Sequence, residues 1–354
     1  MASNITSPHG ITFSAKEAEE YIWVPALNVS GLDDHYKVLT DVNSSTQVVY
    51  AQTLDKITYR DSGCDPVYDS KPIVRTEKFW NPRPVEAVLK QCYTDLYGSM
   101  FERKLGAGTD RPEIKDTDIE KFILDASVPA AARDLVRMVQ LAKYGITAGE
   151  LTGGATEVKN YNQVDGFWVH FIAAVAAGLT PRYIIAENTG ATTADQRLAA
   201  GRGQEILRNV YDNQDITMMQ VDDSLKMFEV TRAIYNNYYS TLESNNALES
   251  ARVMLLNGTK TLSYRGIPLK IVDVVDQYLA ADFKFGAGAN TTITNPHRVV
   301  LSVKDNLQVS LDTATKNPVA FKSWDEPKDK AWYARMMYML DTQVALDQYV
   351  SLGY

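Results

Sequence analysis

Residues 295–313, NPHRVVLSVKDNLQVSLDT, alternate apolar and polar side chains more regularly than a loop would. Val299, Leu301 and Val303 fall on one parity, as do Leu307, Val309 and Leu311, with mostly polar residues between them. A period of two marks β-strands that turn one face to a core. A two-residue turn at Asp305-Asn306 would set Val303 opposite Gln308 and mix the faces. A three-residue loop, Lys304-Asp305-Asn306, pairs Val303 with Leu307 and Leu301 with Val309, and Asn tolerates the left-handed conformation such loops use. One continuous strand would keep the parity but would be unusually long. The stretch predicts a hairpin with one buried face.

Downstream, AWYARMMYML (331–340) and QVALDQYVSL (343–352) read as two closing strands around a turn at Asp341-Thr342. Upstream, LKMFEV (225–230) reads as a strand. Thr231 can cap a helix carrying Ile234, Tyr235, Tyr238, Tyr239 and Leu242. RVMLL (252–256) is a further strand, with Asn257-Gly258 as its type I′ turn, and GIPLKIVDVV (266–275) is another β run.

Four helices are expected before this α/β region. Thr117-Asp118-Ile119-Glu120 is a capping box that opens the first. The second, 128–144, puts Leu135, Met138, Val139 and Ala142 on one face and stops at Gly145. The third, 162–178, carries Val164, Phe167, Trp168, Phe171, Ile172 and Val175 and ends at Gly178. The fourth, 193–211, is interrupted by Gly201 and Gly203. GITAGELTGGATEVKNYNQVDG (145–166) reads as a long ordered loop, a feature that tends to be functional or interfacial. Residues 1–40 lack periodicity and read as an extended arm. Residues 45–80 hold short β runs around Val48, Tyr50, Leu54, Ile57 and Tyr59, broken at Ser62-Gly63 and Asp65-Pro66, and suggest a long hairpin. Residues 81–106 suggest a strand that becomes a helix near Gln91.

Composition excludes several functions. The 354 residues suggest about two domains at ~150 residues each. A net charge of −8 argues against tight binding to nucleic-acid phosphates. Cys64 and Cys92 form no CxxC pair, so no structural zinc is expected, and nothing supports a disulfide between them. The N-terminus lacks signal-peptide organisation, and the strongest apolar run, 171–179, is too short to span a membrane. His9, His35, His170 and His297 are scattered and read as surface or satisfied histidines. Asp110, Glu113, Asp116, Asp118 and Glu120 resemble a hard-metal cluster but suit a helix start better, and Asp222-Asp223 and Asp273/Asp276 read the same way. TGGAT (152–156), GRG (201–203) and GAGAN (286–290) lack the context of a phosphate cradle. No nucleophile elbow or zinc-protease motif occurs. No catalytic, cofactor-binding or metal site is therefore expected, and the chain does not read as an enzyme. Its twenty tyrosines suit interfaces.

The order of these parts resembles the major capsid protein of tailed bacteriophages, with its Hong Kong 97-type fold. KFWNPRPVEAVLKQCYTDL, MLLNGTKTLSYRGIPLKIVD, NPHRVVLSVKDNLQVSLDT and WYARMMYMLDTQVALDQYVSL are similar to stretches of such shell proteins. The resemblance implies an α+β fold. Its parts would be an N-terminal arm (1–40), an E-loop hairpin (41–92), a peripheral P domain (93–178) with spine helix 128–144, an axial A domain (179–295) and closing strands that link A and P (296–354). It further implies pentamers and hexamers of the chain itself around packaged double-stranded DNA bound without sequence specificity. Portal, separate scaffolding and decoration proteins would be partners. The scaffold would be separate because a chain starting at Met1 leaves no room for a scaffolding segment ahead of the arm. The setting would be a virion assembled in the host cytoplasm, with no membrane. Lys56, Lys71 and Lys78 lie in the E-loop region, but no partner Asn is identifiable and no crosslink is expected. The competing readings are an encapsulin-like compartment shell and a tail or receptor-binding protein.

Overall fold

The computed structural model describes residues 12–14, 35–39, 42, 47–51, 75–92, 118–247, 252–254, 260–312 and 319–354. The first strands are β1 (Thr12–Ser14), β2 (Lys37–Leu39), β3 (Gln47–Ala51), β4 (Arg75–Phe79) and β5 (Arg83–Cys92). A long helix α1 (Asp118–Leu141) leads to α2 (Val158–Tyr161), α3 (Phe167–Ala176), β6 (Arg182–Tyr183), α4 (Arg202–Asp212) and α5 (Ile216–Met219). Then come β7 (Lys226–Val230), α6 (Arg232–Ser244), β8 (Arg252–Met254), β9 (Lys260–Tyr264), β10 (Ile267–Ile271) and α7 (Asp273–Asp282). The chain closes through β11 (Lys284–Phe285), β12 (Thr292–Ile293), β13 (Val299–Val303), β14 (Leu307–Asp312), β15 (Val319–Glu326), β16 (Ala331–Val344) and β17 (Val350–Gly353).

Two sheets organise these elements. One runs β1-β15-β16-β14-β2 and carries β5 on the other side of β16; the other runs β6-β17-β13-β7-β10-β9-β8. The expected strands 299–303 and 307–311 form, and the three-residue turn between them forms too. They do not pair as a hairpin. β13 lies between β17 and β7, antiparallel to both. β14 lies antiparallel to β16 and parallel to β2 in the other sheet. The reason is visible in the turn. Asn306 N donates to Val303 O, but Lys304 N and Asp305 N are taken by Leu225 O and His35 O, so outside segments wedge the strands apart. The left-handed residue is Asp305, at φ 63°, rather than Asn306.

The buried-face expectation also changes. Every residue of β13 and of 307–311 is buried, including Ser302, Gln308 and Ser310. The alternation separates two cores rather than core from water. Val299, Leu301 and Val303 face a cluster with Ile206, Val210, Phe228 and Ile234. Val300 faces a second cluster with Leu135, Phe167, Val309 and Trp332.

β16 runs unbroken through Asp341-Thr342, where a turn was expected. Both polar side chains find partners inside the structure: Asp341 accepts from Asn81 N at 2.7 Å, and Thr342 Oγ1 donates to Asp165 O at 2.5 Å. QVALDQYVSL is split: its first two residues end β16, a 3₁₀ turn covers Asp347–Tyr349, and β17 begins in the other sheet. The chain thus changes sheets twice, at 304–306 and at 345–349. Asn306 fastens the two crossings together. Its side-chain oxygen accepts from Leu346 N at 2.8 Å, its Nδ2 donates to Leu346 O at 3.0 Å, and its carbonyl accepts from Ala345 N at 2.9 Å.

The helices differ from expectation chiefly at their ends. The first two merge into α1, which continues through Pro129. It stops at Leu141, where Tyr144 N and Gly145 N turn instead to the side chains of Asp165 and Asn162. Leu135, Met138, Val139 and Ala142 are buried as their spacing predicted. α3 starts at Phe167 rather than 162, because Gly166 sits against the end of α1; a Cβ there would meet Met138 O at 2.8 Å. α4 starts at Arg202, since Gly201 at φ 78° ends the preceding turns. The 145–166 loop holds two 3₁₀ turns and α2. Residues 273–275, expected as strand, open α7, with Asp273 and Asp276 in its first turn. No strand was expected where β15 lies.

β3 and β4 pair antiparallel from Gln47↔Phe79 to Ala51↔Arg75, as a long hairpin requires. The middle of that hairpin, the helix expected beyond Cys92 and the Asn257-Gly258 turn lie outside the described residues. Residues 35–39, at the end of the expected arm, are built into the core: β2 pairs with β14, and His35 and Tyr36 are buried.

Replacing Asn306 by Ala leaves the half-buried Leu346 N–H without its partner, while Leu346 O keeps Tyr349 N, and is expected to cost about 1–2 kcal/mol. A urea denaturation midpoint equal to that of the wild type would show that the crossings hold without it.

Candidate functional site

The most elaborate polar arrangement lies where the two sheets meet. Tyr36, just ahead of β2, stacks on Phe167 with ring centroids 5.5 Å apart. Its hydroxyl donates to Glu229 Oε1 on β7 and accepts from Gln140 Nε2 on α1 at 2.8 Å. Gln140 also donates to Glu229 Oε2 at 3.3 Å. His35 Nε2 meets Ser302 Oγ of β13 at 2.7 Å. Lys270 of β10 holds its ammonium 5.4 Å from the centre of the Tyr36 ring. A single Glu in the apolar strand LKMFEV is the one sequence signal for this cluster, and its partners come from 89 to 193 residues away.

Burial pushes the Glu229 carboxyl up, while Lys270, Tyr36 and Gln140 pull it back. Burial, helped by Lys270 and Lys304, holds His35 down at about 3, so its imidazole is neutral at pH 7. The adjoining cavity, lined by Gln140, Glu229 and Arg298 among others, measures about 20 Å³, room for one water and not for a substrate. This arrangement fastens elements to one another.

Among the described residues, the other sequence candidates lie in separate places, save Asp273 and Asp276, which share Arg232. His9 lies outside the described residues, as do Asp110, Glu113 and Asp116. His297 is buried with its Nε2 on Gln196 O, while His170 keeps Nε2 without a partner and is lowered by burial. Asp118 opens α1. Asp222 caps a turn through Ser224 N, Asp223 binds Lys226, and Asp273 pairs with Arg232 at 2.5 Å. Asp276 accepts from Arg232 N and is raised to about 6 by burial. Among the described residues, no group of three or more His, Cys, Asp or Glu could hold a metal ion. The glycine stretches form turns and the start of α4, where Gly203 lets α4 approach α6; a Cβ there would meet Ile234 O at 2.8 Å. Cys92 is unbonded.

The surface offers more to partners than the interior offers to substrates. Ile216 is 74% exposed, with Met219 and Leu225 also exposed nearby in sequence. Phe79, Val88 and Leu89 are exposed on β4 and β5. An open groove of about 890 Å³ lies along α6, between Asn236 and Ser240 on one side and Arg197, Leu198 and Pro296 on the other. Among the described residues, no helix is long and apolar enough to cross a membrane.

A long helix packed on a β layer, a second sheet between two cores and the antiparallel β3–β4 pair define a class: the architecture is the Hong Kong 97-like fold of phage capsid proteins. A structure of the satellite phage P4 procapsid including size determination (Sid) protein is similar to this chain at 10% identity, with 99% of this chain and 93% of that chain covered and a TM-score of 0.55. The capsid of the native GTA particle is similar at 11% identity over 100% and 95% of the two chains, TM-score 0.48. The capsid of the cyanophage P-SCSP1u is similar at 10% identity over 100% and 90%, TM-score 0.48. No protein-family model and no curated protein matches the sequence. At such identities the likeness establishes the fold.

Tyr36→Phe removes a donor to buried Glu229 and is expected to cost about 1–3 kcal/mol. Glu229→Gln removes the buried charge instead. A carboxyl raised in the folded state loses stability as pH climbs above its ordinary 4.5. The melting temperature of Glu229→Gln relative to wild type should therefore rise between pH 5 and pH 8. A constant difference would mean that Glu229 does not titrate across that window.

Proposed function

We propose that this chain is the structural subunit of an icosahedral phage capsid, assembling with copies of itself as pentamers and hexamers around double-stranded DNA. The observation that carries the reading is the near-full-length likeness, at TM-score 0.55, to a satellite phage P4 procapsid structure. Residues 1–40 would act as the arm, with 35–39 as its root in the core. Residues 41–92 would be the E-loop, 93–178 the P domain around α1, 179–295 the A domain, and 296–354 the strands that join A and P. The two sheet crossings suit that last role, since a tile must hold its two halves at a constant angle. Portal, scaffolding and decoration proteins would be further partners, and the particle would assemble in the host cytoplasm. The acidic charge suits a wall that encloses DNA without gripping its phosphates.

An encapsulin-like shell would share the fold but enclose protein cargo, and a tail or receptor-binding protein would form no closed shell. Negative-stain microscopy of the expressed protein should show polyhedral shells or capsomers, and native particles should protect double-stranded DNA from nuclease. A monomer that never assembles under any condition sinks both shell readings; shells holding protein and no DNA favour the compartment. Deleting residues 2–34 should leave a folded subunit whose shells dissociate at lower denaturant, whereas deleting 2–40 also removes buried Tyr36 and should unfold it. Shells of unchanged stability after the shorter deletion count against the arm.

A further inference from the structure

The base of the β3–β4 hairpin is tied to residues 341–347, at and just past the end of β16, through Lys78, Phe79 and Asn81. Lys78 Nζ donates to Val344 O at 2.9 Å and to Asp347 Oδ1 at 2.7 Å. Phe79 O accepts from Gln343 Nε2 at 3.3 Å. Trp80 is 2% exposed. Asn81 N donates to Asp341 Oδ2 at 2.7 Å. Asp341 is the unusual member. It is 8% exposed, and its carboxylate is held by two backbone N–H groups, Asn81 and Thr342, rather than by a cation.

We propose that Asp341 is a pH-responsive latch for the hairpin base: taking up a proton on acidification tightens the hold of β16 on residues 78–81. The direction follows from what release would expose. Lifting 78–81 off the body opens Asp341 to water, where its charge is well solvated. Seating them closes the site and penalises the charge. A proton taken from solvent removes that penalty, and the neutral carboxyl keeps an oxygen to accept from Asn81 N. The surrounding groups agree. Burial raises the carboxyl most and Asp165, ahead of α3, adds like charge; the N–H groups of Asn81 and Thr342 and the Arg83 charge on β5 oppose them without cancelling them, which leaves Asp341 at about 6 against an ordinary 3.8. His170 on α3 is lowered by burial and faces Asp165 and Lys78. Lys78 is engaged by Asp347. The inference goes beyond the shell reading and does not depend on it.

Hydrogen exchange of the full-length protein, corrected for intrinsic rates and held in one assembly state, reads the opening of 78–83 directly. Linkage between 3.8 and about 6 predicts that the opening equilibrium falls about tenfold from pH 7 to pH 5. Asp341→Asn, permanently neutral and with one oxygen for two N–H donors, should lose the pH dependence of opening. Wild-type opening that does not change with pH, or an unchanged slope in Asp341→Asn, overturns the latch. Should that variant fail to fold, Asp165→Asn provides the second test: removing the neighbouring charge should move the transition to lower pH, and an unmoved transition overturns the proposal. A protein that never forms shells leaves this measurement intact, so failure of the latch and failure of the shell reading are told apart.

Discussion

Everything in this structure depends on holding two sheets at one angle while the chain passes between them twice. The Asn306 side chain, with its own backbone carbonyl, does this with a small set of hydrogen bonds to the 345–346 crossing. A backbone group buried at such a crossing has no ladder to satisfy it, so each unmade bond costs the full desolvation penalty. An amide suits the position because it offers a donor and an acceptor at once, as a peptide group does. A carboxylate, which only accepts, would answer only part of that demand.

The cluster of Tyr36, Gln140, Glu229, His35 and Ser302 extends the same constraint inward. It ties the segment before β2 to α1, β7 and β13, so the root of the N-terminal region, the long helix and the second sheet move together. A buried carboxylate is an expensive fastening. Its retention fits an element whose geometry matters more than its stability, because misplacing any one partner leaves the charge unsatisfied.

Much of the fold was legible in the sequence because the signals were local. The buried stripe of α1, the strand LKMFEV, the helix after Thr231 and the strands of 299–311 all follow from spacing. Even there, local logic misassigned roles. Thr231 stands at the N-cap, but its hydroxyl accepts from Arg298 N rather than capping its own helix. Asp341-Thr342 looked like a turn because two polar residues interrupt an apolar run, yet both are satisfied from elsewhere in the chain. The candidate cluster was hardly legible, because its members are ordinary residues whose meaning is a convergence of distant segments. Among the described residues, the carboxylates that drew attention in the sequence cap turns or pair with neighbouring cations, and of the histidines His35 belongs to the cluster.

By itself the sequence determined many of the strands and helices, though not β15 or the start of α7, and that no familiar catalytic motif was present, since hydrophobic period, turn residues and motif spacing are local properties. It also determined that 295–313 would hold two strands around a three-residue turn. Only the tertiary structure decided that those strands part company, one to each sheet. The alternation of side chains states that a strand has two different faces, not what covers them. Here both faces are buried, and on β13 they meet two separate cores. That choice was made by longer ladders from β7, β16 and β17, and by His35 and Leu225 taking the turn's N–H groups, none of which the stretch itself contains.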